Sequence, residues 1–123
     1  NSTNNFGKLV PFNPRIYSSD VVLVYRLSGA NSQGDIWELL PETHYYNDGT
    51  LNFGYKYDYT NTDVDIYMIG ANLQSVTAEF RINQVLRIVI VPANYATSIN
   101  KNSYLDVITA LNLKENQIQK INF

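Results

Sequence analysis

The sequence predicts a mainly β fold: an antiparallel β-sandwich with one short helix near the C-terminus. Three observations lead there. The run Leu51-Asn52-Phe53-Gly54-Tyr55-Lys56-Tyr57-Asp58-Tyr59 places apolar or aromatic residues at every odd position. Strand side chains alternate faces with a period of two, so this run is a strand with one buried and one wet face. Residues 21–27 and 85–91 are two β-branched runs, apolar almost throughout, as strands covered on both faces are. Turn residues separate these runs at intervals of about 10 residues, the spacing of a sandwich or barrel. A jelly roll is one form such a sandwich takes.

Taken in order, residues 1–7 are polar apart from Phe6 and read as a flexible arm or the end of a linker, leaving 8–123 as a single domain. Residues 8–10 start the fold, and Pro11 and Pro14 then interrupt regular pairing. The first apolar run ends at Ser28-Gly29, and residues 30–35 read as a polar loop. Ile36-Trp37-Glu38-Leu39-Leu40 returns as a strand and stops at Pro41. Thr43-His44-Tyr45-Tyr46 is a short strand, and Asn47-Asp48-Gly49 turns it into the alternating run, because Asp-Gly accepts the positive φ of a hairpin turn. Asn61-Thr62 turns the chain again, into a strand at 63–69 that Gly70 ends.

Residues 72–79 form a connection with room for a helical turn, and Pro92 terminates the second β-branched run. Tyr104, Val107, Ile108 and Leu111 recur at helical spacing and form an apolar stripe. Ser103, with Asp106 three residues on, resembles a capping box, and Asn112 suits the left-handed residue after a helix. Residues 118–123 read as a last short strand. The expected core is Val22, Val24, Trp37, Leu39, Phe53, Val64, Ile66, Ile88 and Ile90.

Composition narrows the possible functions. The formal net charge is −2 and the 9 basic residues are scattered, which argues against nucleic acid as a partner. There are no cysteines, which removes disulfides, thiolate metal sites and cysteine nucleophiles together. No apolar stretch approaches the roughly 20 residues of a membrane helix, so direct membrane insertion is not expected.

Candidate site residues fall in three groups. Trp37, Tyr45 and Tyr46 are the aromatics a glycan would stack on, since ring faces with a polar handle suit sugar rings; the plainer reading makes most of these rings core. Asp58, Asn61, Asp63 and Asp65 cluster around one turn and are the oxygen donors that Ca2+ would take. Their spacing is not that of an EF-hand, and a solvated strand face with turn-forming Asn and Asp is the plainer account of them. Asp35, Glu38 and Glu42 are the acids a glycoside hydrolase would draw on, although nothing in the sequence sets up a cleft between them. His44 is the single histidine, with no nucleophile elbow to serve.

Several strings resemble a known family. Ser19-Asp20-Val21-Val22-Leu23-Val24-Tyr25, Asp35-Ile36-Trp37 followed by Leu39-Leu40-Pro41, Thr43 and Asp48-Gly49, and residues 83–93 are similar to the C-terminal globular domain of uncharacterised collagen-like surface lipoproteins of Bacteroidetes-type bacteria. Ala110-Leu111-Asn112-Leu113 is similar too. The resemblance covers most of the chain, and its motifs are structural rather than catalytic. It implies an extracytoplasmic, cell-surface module held by a lipid anchor upstream of this chain, and a homotrimer formed through upstream Gly-X-Y sequence or contacts with other surface proteins. The function expected on this basis is a non-catalytic structural or assembly role, with no enzyme activity and no resident cofactor. A carbohydrate-binding module is the alternative, and a glycoside hydrolase the remote one.

Overall fold

The computed structural model describes residues 6–92, 100–110 and 119–122, with Ala110 and the last stretch described by backbone alone. Eight strands form two four-stranded sheets with antiparallel pairing throughout. The first sheet runs β1 (Gly7–Pro11), β6 (Asp63–Ile69), β5 (Leu51–Tyr59), β4 (Glu42–Tyr45). The second runs β3 (Gly34–Leu39), β2 (Val21–Asn31), β7 (Val85–Val91), β8 (Gln119–Asn122). Between β6 and β7 lie a 3-10 turn at Leu73–Ser75 and the short helix α1 (Ala78–Arg81); α2 (Tyr104–Ala110) follows β7.

The two sheets face each other across one apolar core. β5 and β6 contribute Phe53, Tyr55, Val64, Ile66 and Met68, and β2 and β7 contribute Val22, Val24, Leu86 and Ile88. The alternation read from the sequence is visible in β6, where Val64, Ile66 and Met68 are buried and the residues between them are half-buried. β2 and β7 are buried on both faces, as their unbroken apolar runs require. Their other face carries Leu23, Tyr25, Val89 and Val91, covered by Tyr104 and Val107 of α2. The architecture is therefore sheet, sheet and helix in three layers, with β2 and β7 in the middle layer.

Several expectations are corrected in detail. A jelly roll sets the first strand beside the last, but here β1 lies beside β6 and β8 beside β7. The tight turns at 47–50 and 60–62 keep β4, β5 and β6 as a local meander instead. Phe6 and Gly7, expected in the arm, belong to the fold: Gly7 pairs with Tyr67, and the Phe6 carbonyl accepts a hydrogen bond from the Met68 amide. The polar segment 30–35 is no loop. β2 continues past a bulge at Leu27/Gly29 to Asn31 and pairs with β3 from Gly34, whose φ of +122° is open to glycine. That hairpin end is exposed on both faces, so it carries no hydrophobic alternation.

Trp37 and Leu39 are not in the inter-sheet core but half-buried on the outer, helix-covered face, and Ile90 is half-buried against the inner core. The Ser103 cap is present, with the Asp106 amide donating to Ser103 Oγ at 3.3 Å. Leu111, Asn112, Ile118 and Phe123 lie outside the described residues.

Candidate functional site

Two buried arginines organise the polar chemistry of the molecule, one on each face of the middle sheet. Arg26 follows Val24 on the inward face of β2 and is 5% exposed. Its guanidinium donates from Nε to Glu42 Oε1 and from Nη2 to Glu42 Oε2, both at 2.9 Å, and from Nη1 to Gln84 Oε1 at 2.8 Å. It also sits 4.8 Å from the centre of the Tyr55 ring. Gln84 in turn donates to the Glu79 and Ile82 carbonyls, and the Tyr55 hydroxyl donates to the Phe80 carbonyl, so the network ties α1 to both sheets.

His44 completes this network. Its Nε2 lies 2.5 Å from Glu42 Oε2, and its ring stacks on Phe53 with centroids 4.4 Å apart. The reason is register: β4 pairs Glu42 with Tyr55 and His44 with Phe53, which puts both polar residues on the inward face of an edge strand. Burial alone would push the Glu42 carboxyl up. The hydrogen bonds from Arg26 and His44, the Arg26 charge and a hydrogen bond from Glu38 together hold it below its ordinary value. Partial burial, and the hydrogen bond and charge of Glu42, push Glu38 the other way. Burial also pushes the Tyr55 hydroxyl up to about 12.

Arg87 occupies the outer face. Its guanidinium lies 4.3 Å from the Trp37 ring centre, and Nη1 donates to the Tyr104 hydroxyl at 2.6 Å. Tyr104 meets Tyr25 edge-on at 5.0 Å and Trp37 at a tilt at 5.3 Å. The Tyr25 hydroxyl donates to the Lys101 carbonyl at 2.8 Å, fastening the approach to α2.

The structure does not bring the aromatic candidates together. Trp37 packs under α2 on the outer face of one sheet and lines a shallow cleft with Asp35 and Ser103. Tyr45 and Tyr46 are 61% and 51% exposed at the hairpin of the other sheet, where the Thr43 hydroxyl donates to Tyr45. They belong to the sheet that does not contain Trp37.

The acids at the β5–β6 turn are placed by strand pairing and by the turn's own hydrogen bonds. Asp58 and Asp65 are cross-strand partners, Asp63 accepts from the Thr60 hydroxyl at 3.0 Å, and Asn61 lends its carbonyl to the Ile16 amide. Among the described residues no group of three or more acidic or histidine side chains gathers around a common point. Asp35 is exposed at the start of β3, opposite Ala30.

Glu38 and Glu42 lie near enough for each carboxyl to shift the other, Glu38 upward and Glu42 downward. Sequence reasoning missed Arg26 and Arg87 as organising residues. Their signal was present, as each is the lone charge inside a run of β-branched residues.

Comparison with protein-family models, curated proteins and solved structures found no match for the chain. No helix among the described residues is long and apolar enough to cross a membrane.

Proposed function

We propose that this domain is a non-catalytic module of a bacterial cell-surface protein, with a structural or assembly role, carried outside the cytoplasm by a lipid anchor upstream. One observation supports it above the others. Glu42 and His44, two of the residues best suited to catalysis, are hydrogen-bonded to each other, and Glu42 is paired with Arg26 across the two sheets. A carboxylate engaged in this way helps to hold a scaffold. The helix-covered outer sheet adds rigidity that a load-bearing or spacer module uses.

Light scattering tests the assembly role. The 123-residue chain is expected to be monomeric across a range of concentrations, and the natural full-length protein trimeric through upstream sequence. A full-length protein that remains monomeric removes the assembly reading. Turnover of any chromogenic glycoside that disappears in Glu42→Gln removes the non-catalytic one.

A further inference from the structure

We infer that the chain carries a glycan-binding cleft at one end of the sandwich, where the β1–β2 connection crosses the β5–β6 turn, with Tyr17 and Tyr59 as its stacking rings. This goes beyond the structural role proposed above and does not depend on it. Two open clefts adjoin there, of about 460 and 170 Å³, and share Ile16, Tyr17, Ser18 and Asn61. The larger lies within the roughly 300–1,000 Å³ of small-molecule sites.

Tyr17 is 80% exposed, the most exposed of the large apolar side chains described, and Tyr59 is 40% exposed. Neither ring is left out by a loose backbone. The Tyr17 amide donates to Asp20 Oδ2 at 3.0 Å, and its carbonyl accepts from the Asp20 amide at 3.0 Å. The segment is fastened to the β5–β6 turn by Ile16 N to Asn61 O at 2.9 Å and Phe12 N to Thr62 O at 2.7 Å. Tyr59 is braced by a stacked contact with Tyr57, centroids 6.3 Å apart. A ring on a fixed backbone has less chain freedom to lose on binding, which favours stacking on a flat sugar face.

The polar rim selects the ligand class. Among the described residues, the Ser18 hydroxyl, the Asn61 amide and the Arg15 guanidinium make no hydrogen bond within the protein. They are neutral donors and acceptors with one cation, suited to sugar hydroxyls. A strongly charged polymer would find one countercharge, and a lipid surface would find no broad apolar patch.

The test is an amide NMR titration of the chain with cellotetraose, maltotetraose and chitotetraose, each raised to about 10 mM, above the millimolar Kd of a weak single site. At least one is expected to shift the amides of residues 15–18 and 59–61. Tyr17→Ala should weaken that binding by about tenfold or more with an unchanged melting temperature, and Tyr59→Ala serves as the second variant. Three outcomes overturn the proposal: no shift with any of the three sugars, shifts confined to other segments, or an affinity that Tyr17→Ala and Tyr59→Ala both leave intact. A proline-rich decapeptide moving these amides where the sugars do not overturns it as well.

Discussion

Arg26 of the middle sheet and Glu42 of the facing sheet are joined by two parallel hydrogen bonds of 2.9 Å, with side chains 6% and 8% exposed. A forked guanidinium matches a carboxylate in this geometry better than an ammonium would. Each ion is desolvated, and each is compensated by further partners: Gln84 and Tyr55 for the arginine, His44 for the carboxylate. Such pairs contribute less to net stability than their Coulomb energy suggests, but removing one partner leaves a bare buried charge.

Glu42→Ala should therefore destabilise the domain by about 3–5 kcal/mol in urea unfolding. Arg26→Met combined with Glu42→Leu should recover much of that loss, since neither charge then remains to be solvated. A double variant no more stable than Glu42→Ala would show that the pair contributes more than mutual compensation.

Acid should unfold the protein through the same carboxyl. The Glu42 carboxyl is held below its ordinary value of 4.5 in the fold, so its contribution is present above pH 4.5 and is lost as pH falls through the folded value. Glu38 is raised, so its smaller and more exposed contribution has the opposite sign: present at low pH and lost as pH rises through its folded value. Melting temperature followed from neutral pH downward should drop below pH 4.5, and Glu42→Gln should flatten that drop. An unchanged acid limb in the variant would place the acid sensitivity elsewhere.

Gly54 is required by close approach. A Cβ there would lie 2.7 Å from the Glu42 carbonyl oxygen and 3.2 Å from side-chain atoms of Ile69 and Thr43, its neighbours on both flanking strands. Gly54→Ala should cost about 1–3 kcal/mol and loosen β4, while Gly29→Ala, with open space around it, should change stability by less than about 0.5 kcal/mol. Equal melting temperatures for the two variants would contradict this packing.

Trp37→Ala should cost about 1–3 kcal/mol, less than the ~3–5 kcal/mol of a fully buried ring, because the indole is only half-buried beneath α2. It should also alter the near-ultraviolet circular dichroism of the Tyr25–Tyr104 pair, which shares its cluster. A loss above about 4 kcal/mol would mean that Trp37 belongs to the inter-sheet core after all.

Much of the fold was legible in the chain because its signals are local. Alternation at 63–69, the strand at 51–59 (whose ends Leu51 and Tyr59 are nevertheless exposed), Asp-Gly at the hairpin and Ser103 before a helical stripe each act within a few residues, and each element appears in the structure where the sequence puts it. The β2–β3 hairpin end was illegible for the converse reason: it is paired by backbone alone, exposed on both faces, and its side chains carry no pattern.

The candidate site was legible only as a set of residue types. Tyr45 and Tyr46 stand near aromatics of the core in the chain, yet they are exposed at the hairpin of one sheet while Trp37 lies on the other. Tyr17 and Tyr59 lie far apart in the chain and meet at one cleft only because the β1–β2 connection is hydrogen-bonded to the β5–β6 turn.

By itself the sequence determined the strands, the turn chemistry, the helix and the apolar faces, because propensity and periodicity are properties of neighbouring residues. Tertiary structure decided the sheet order, the burial of Trp37 under a helix rather than between sheets, and the pairing of Arg26 with Glu42. These depend on which strand lies beside which, a choice made by packing and by the compensation of buried charge across the whole molecule, and no local pattern encodes it.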